Sequence, residues 1–195
     1  MKNLVGIIAV ALTFIGYIPY IRDTIKGKTK PHIFTWFIWG FVTAVAFGLQ
    51  LSDKAGPGAF VTLAAAIVCL AIALIGLRKG SKEITKSDTM FLVLSMVALV
   101  LWLFAEQAVL SVILLSLIDI LGFIPTIRKS WHKPGEETLI SYVVNTVRFC
   151  LALYALERYT IVTILYPLTW VLANGLFSVY LIIRRGKVAN VGYRG

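Results

Sequence analysis

The chain has 195 residues, of which 59% are apolar and 14% charged, with a net charge of +10 and a mean hydropathy of +0.87. A soluble domain of this size would expose too much apolar surface to stay dispersed. The basic residues fall in short loops between apolar runs, which points to a lipid bilayer and away from nucleic acid as the partner.

In chain order, the apolar runs predict helices at 3–22, 32–51, 57–78, 88–105, 107–127, 138–156 and 160–184. Each matches a hydrocarbon core of roughly 30 Å at 1.5 Å rise per residue. The first run continues to Pro19-Tyr20-Ile21-Arg22 without a small-residue cleavage site, so it is read as a mature helix and not a signal peptide. A single helix from Thr89 to Ile127 would be about twice the core thickness; Glu106-Gln107 interrupts it where a tight turn between two spans belongs. Cys69 and Cys150 fall inside apolar spans and read as small core residues, not as a disulfide. His32 and His132, like Glu136-Glu137 ahead of the sixth run, read as solvated groups in loops on the basic side.

Fifteen of the 19 Lys and Arg residues fall on one side of these spans. Only Lys2, Lys54 and Arg158 fall on the other, and Arg148 lies within a span. The positive-inside rule then predicts an integral plasma (inner) membrane protein with its N-terminus outside and its C-terminus in the cytoplasm.

The segment Gly16-Tyr17-Ile18-Pro19-Tyr20-Ile21-Arg22 returns as Gly122-Phe123-Ile124-Pro125-Thr126-Ile127-Arg128, an offset of 106. The same offset pairs Thr35-Trp36 with Ser141-Tyr142, and Arg78-Lys79-Gly80 with Arg184-Arg185-Gly186. One ungapped shift thus relates two three-helix segments. Three helices is an odd number, so a direct copy would insert upside down; the fourth helix restores a common orientation. The expected fold is an all-α membrane protein of seven transmembrane helices, with two parallel three-helix-bundle repeats joined by an inversion linker helix. The boundaries are 1–80 for the first repeat, 81–106 for the linker helix, 107–187 for the second repeat and 188–195 for a cytoplasmic tail.

This 3+1+3 layout, with an outside N-terminus and Pro19 and Pro125 near the cytoplasmic ends of helices one and five, resembles the SWEET and PQ-loop transporter superfamily. That group includes sugar uniporters, exporters of cystine and cationic amino acids, and, more distantly, KDEL receptors. The second residue of the family's Pro-Gln pair is Tyr20 in one repeat and Thr126 in the other. The resemblance implies a central site between the repeats, to which helix seven contributes a tryptophan and an asparagine, here Trp170 and Asn174.

Polar residues at membrane depth mark candidate sites. Helix six carries Thr138, Ser141, Asn145 and Arg148 at spacings of three, four and three, which is one helical face. Trp170 and Asn174, four apart, pair a ring that can stack on a flat ligand with an amide that can bond its polar edge. Trp36, Trp39 and Tyr142 are candidates for aromatic walls. Asp119 and Arg148 fall at similar depth and admit two readings. They form an ion pair that fixes helix packing, or they face a cavity, where Arg148 holds an anionic or carbonyl group and Asp119 pairs with it or takes a proton. Pro19 and Pro125 each remove a helix hydrogen bond and suit either a hinge or a static kink.

The function expected is a facilitative or proton-coupled transporter of a small polar or aromatic metabolite by alternating access through a central cavity. The alternative is a receptor or sensor of the same fold that binds its ligand without moving it. No metal-ligand spacing, nucleophile elbow or phosphate loop suggests an enzyme, and no cofactor or metal is expected. The expected partners are a small-molecule substrate and the bilayer.

Overall fold

The computed structural model describes residues 1–27, 31, 33–79, 86–132, 134, 137 and 139–192, with the backbone alone for 34, 79, 87–88, 124–126, 128–129, 132 and 187–192. Several predicted features lie outside these: His32 and Thr138, Glu136, the lysines at 28, 30, 82 and 133, and the residues that would join the first repeat to the linker. The side chains of Pro125 and His132 lie outside as well.

Among the described residues the secondary structure is helical throughout, in seven α-helices and one short 3-10 turn, Gly56–Gly58. They are α1 (Lys2–Ile25), α2 (Ile33–Ser52), α3 (Ala59–Lys79), α4 (Lys86–Leu103), α5 (Ala108–His132), α6 (Leu139–Tyr154) and α7 (Ile161–Gly192). The turn expected at Glu106-Gln107 separates α4 from α5. Glu106 adopts a positive φ of 52°, and the Gln107 amide reaches back to the Leu101 carbonyl at 2.8 Å. Two helices outrun their predicted ends, α5 to residue 132 and α7 to residue 192. Both continue through Arg and Lys, which are good helix formers and are favoured by the dipole at a helix C-terminus.

The molecule is apolar outside and buries a set of polar residues within an otherwise apolar interior. Leu4, Ile7, Ile15 and Ile18 of α1, and Leu172, Leu176, Val179 and Ile183 of α7, all point outward and are exposed. Thr13, Gln50, Ser111, Asp119, Arg148 and Asn174 are buried. In water this arrangement would present an apolar surface without a counterpart among soluble monomers; in lipid it is the stable one. Lys2–Ile25, Thr35–Ser52, Gly56–Arg78 and Ile161–Gly186 are each long and apolar enough to cross a bilayer. Thr89–Leu103, Ala108–Phe123 and Leu139–Tyr154 are shorter apolar stretches. The chain is an all-α protein with the character of a membrane protein. Of the two cysteines, only Cys69 is a core residue; Cys150 faces outward, and both are free thiols.

Helix α3 packs on both α1 and α2, and α7 packs on both α5 and α6. Helix α4 lies against α5 and α2, while α1–α6 and α2–α5 contacts join the two groups. At the end of the bundle where α1 begins, the groups are tied through their loops. The Glu157 amide donates to the Ala55 carbonyl at 2.8 Å and the Gly58 amide to the Ala155 carbonyl at 3.2 Å. Glycine is required there: Gly56 has φ +73°, and a Cβ on Gly58 would lie 2.3 Å from the Ala152 carbonyl oxygen. Side chains add to the tie. Arg158 pairs with Asp53 at 3.1 Å, Thr160 donates to the same carboxylate, and Gln50 donates to the Thr163 carbonyl at 3.1 Å.

Candidate functional site: a cavity between the two helix groups

Below this tie the groups separate around a cavity of about 470 Å³, lined by α1, α2, α3, α5, α6 and α7. It begins at the level of Thr43 and Tyr166, whose hydroxyls meet at 2.9 Å. From there it extends toward the other end of the bundle, where α2 and α6 start and where Tyr20, Thr35 and Glu137 stand.

One wall is aromatic. Tyr17 and Tyr20 of α1 and Trp36 and Trp39 of α2 form a connected cluster, with Trp36 6.2 Å from Tyr17, 5.0 Å from Tyr20 and 5.4 Å from Trp39 between ring centres. The Trp36 indole donates to the Tyr20 hydroxyl at 3.2 Å. Each group meets its neighbour edge-on or tilted, the geometry favoured by ring quadrupoles. The opposite wall is made by Phe123, Tyr142, Phe149 and Trp170, with Phe149 and Trp170 stacked at 6.3 Å and 10°.

Helices α6 and α7 add the amide and charged groups of the lining from within the spans, and their period explains why. Ser141, Asn145 and Arg148 lie on one face of α6, and Trp170 and Asn174 on one face of α7. Arg148 is buried, 3% exposed. Its Nε donates to Asn145 Oδ1 at 2.8 Å and its Nη1 to Thr13 Oγ1 of α1 at 3.1 Å. The guanidinium carbon lies 4.4 Å from the Phe149 ring centre and 5.5 Å from that of Tyr17. Asn145 donates onward to Asn174 Oδ1 at 3.4 Å, and Asn174 donates to the Trp170 carbonyl at 2.8 Å. The two helices of the second group thus share one polar chain that ends on the cation.

Of the residues singled out from sequence, Trp36, Trp39, Tyr142, Asn145, Arg148, Trp170 and Asn174 all line the cavity. Asp119 does not. It is 1% exposed and sits behind Trp170, whose indole donates to its Oδ2 at 3.2 Å. Nor does it pair with Arg148: no ion pair joins Arg148 to a carboxylate among the described residues. The ion-pair reading of these two residues therefore fails, because α5 presents Asp119 to α7 while α6 presents Arg148 to α1. Pro19 lies inside α1, which continues without a break to Ile25, and Pro125 lies within α5.

Sequence reasoning missed Tyr17, Thr43, Cys69, Phe149 and Tyr166, which read as ordinary span residues. It also placed Glu137 in solvent. Glu137 is half-buried at the cavity and accepts a 2.6 Å hydrogen bond from the Tyr142 hydroxyl. The repeat organises the lining but does not single these out, since Tyr17 pairs with Phe123 and Thr43 with Phe149, none of them a sequence candidate. Tyr17 and Phe123, Thr35 and Ser141, Trp36 and Tyr142, Trp39 and Asn145, and Thr43 and Phe149 are all lining residues separated by the same 106 positions. Set against known proteins, the chain matches no family model, no curated protein and no solved structure.

Proposed function

We propose that this protein is a membrane transporter of a small polar or aromatic metabolite, working by alternating access through the cavity between its two helix groups. The observation that carries the reading is a 470 Å³ cavity in the middle of the bundle whose walls come from both groups, which are tied together at the end where α1 begins. Its size falls within the ~300–1,000 Å³ of ligand sites, and its aromatic walls with a few convergent polar groups suit a small organic solute.

The same reading makes all seven helices spans, arranged as two three-helix repeats with α4 as the linker, in the manner of the SWEET and PQ-loop superfamily. Two observations support it. In each group the third helix packs on the other two. The five lining pairs at offset 106 place equivalent residues around one cavity. With the N-terminus outside, the tied end faces outward and the cavity points to the cytoplasm, as in the inward-facing state of a rocking transporter. Pro19 and Pro125 occupy equivalent positions on α1 and α5, where removal of a backbone hydrogen bond lets two helix ends bend together. Asp119, buried beside Trp170, is placed to take up a proton as the substrate moves that ring.

The test is thermal unfolding of detergent-purified protein against sugars, nucleosides, amino acids and vitamins, followed by uptake into proteoliposomes. A ligand at about 100 times its Kd adds roughly 2.7 kcal/mol if it binds the folded state alone. The expected result is a class-specific shift that disappears in Trp170→Ala and Asn174→Ala, with uptake of the same class. Binding without uptake would instead make the protein a receptor or sensor. Pro19→Ala combined with Pro125→Ala should slow uptake more than it weakens binding, and equal losses would remove the hinge.

A further inference from the structure

Arg148 is a buried cation whose charge the protein only partly answers. A guanidinium carries five N–H donors. Nε and one Nη1 hydrogen serve Asn145 and Thr13, and Nη2 has no hydrogen bond to the protein. Nη2 is also absent from the fully enclosed atoms that lack a partner, so it is open to the cavity that Arg148 lines. What remains is one hydrogen of Nη1 and both of Nη2, donors enough for the two oxygens of a carboxylate.

Its surroundings leave the charge unanswered. The partners in place are two neutral oxygens and the faces of Phe149 and Tyr17, and these offset only part of the penalty for a cation at membrane depth. The two nearest candidates for a counter-charge are committed elsewhere. Asp119 accepts from the Trp170 indole and forms no ion pair with Arg148. Glu137 receives the Tyr142 hydroxyl at the opposite end of the cavity, roughly 15 Å away along the direction of α6.

We propose that the ligand of this cavity is a small monocarboxylate with a flat apolar body, its carboxylate seated on the unused Nη donors of Arg148. This rests on the reading of the cavity as a substrate site and deepens it. The body lies between the Trp36–Trp39 wall and the Phe149–Trp170 wall, where ring faces suit a planar group. A single charge is specified because Arg148 is the one lysine or arginine lining the cavity among the described residues.

The experiment is calorimetric titration of the detergent-purified full chain with three acids, benzoate, phenylacetate and indole-3-acetate, each beside its neutral amide. Charge-assisted pairing predicts that an acid binds roughly 10- to 100-fold tighter than its amide. Arg148→Gln should bring the acid down to the level of the amide. Arg148→Lys, which keeps the charge and loses the fork, should fall between the two. Equal affinity for acid and amide in the unaltered protein overturns the assignment without any variant having to fold, as does failure of all three acids to bind. So does an acid preference that survives Arg148→Gln. Uptake into proteoliposomes, measured above protein-free vesicles, separates this inference from the transport reading. An acid that binds and is not taken up ends the transport reading and leaves the assignment standing. Uptake of neutral solutes with no preference for acids does the reverse.

Discussion

The two ends of the bundle bring the same helix groups together by opposite means. At the end where α1 begins, contact is made by backbone and by small residues: Ala55, Gly56, Gly58 and Ala59 against Ala152, Ala155 and Leu156. Nothing there is large enough to hold the groups apart, and amides and carbonyls meet directly. Toward the other end the facing residues become Tyr17, Trp36 and Trp39 against Phe123, Tyr142 and Trp170, which brace against one another and leave a space between them. Side-chain size along equivalent helices thus decides where the interface is closed and where it is hollow. In lipid, where apolar burial no longer drives helices together, close approach through small residues is the main source of tight contact.

This contrast can be broken from either side. The largest stability loss is expected from Phe149→Ala. The ring is buried against Trp170 and under the Arg148 guanidinium. Its loss should lower stability by about 3 kcal/mol, the low end for such a truncation because only packing is lost when the reference chain stays in lipid. Unfolding in a denaturing detergent titration would read it, and a change below about 1 kcal/mol would mean the aromatic wall is not braced.

Next comes the tied end. Gly58→Val places a Cβ against the Ala152 carbonyl and the Leu156 amide. The expected cost is about 1–3 kcal/mol, with substrate uptake lost more steeply because the groups can no longer close. Normal uptake in this variant would show that the closed end never forms during transport.

Asp119 separates charge from hydrogen bonding. Asp119→Asn keeps an acceptor for the Trp170 indole and should leave stability within about 0.5 kcal/mol, whereas Asp119→Leu orphans a buried N–H at about 1–3 kcal/mol. If Asp119 carries a proton, Asn should also remove the pH dependence of uptake while binding persists. Equal effects of Asn and Leu on melting would mean the indole bond contributes nothing.

The smallest effect is expected at the half-exposed Asp53–Arg158 pair. Arg158→Gln should cost less than about 1 kcal/mol, since exposed ion pairs are screened. If the pair helps hold the tied end shut, the same variant should raise labelling of a cysteine introduced at Ala65 by a reagent entering from that end. Unchanged labelling would leave the backbone contacts as the only latch.

Much of the candidate site is legible in the residue pattern of single helices. The period of Ser141, Asn145 and Arg148 declares a polar helix face, and a polar face in an apolar span has to turn inward. Trp170 and Asn174 follow the same rule. Phe149 and Tyr166 carry no such signal, because an aromatic residue in a span faces lipid, core or cavity with the same local pattern. Glu137 was misread for a related reason: its position outside a helix says nothing about which way the loop folds.

By itself the sequence determined the membrane character, the seven helices, the turn at Glu106 and the recurrence of one motif at offset 106. Each depends on hydropathy or spacing along a single helix, and both are local properties of the chain. Only the tertiary structure decided that Asp119 and Arg148 turn away from each other. The rotation of a helix about its axis is set by all its neighbours at once, and matching depth does not constrain it. The same holds for the cavity itself. It exists because large rings from two distant segments meet where small residues would have closed the gap, and that encounter is written in neither segment alone.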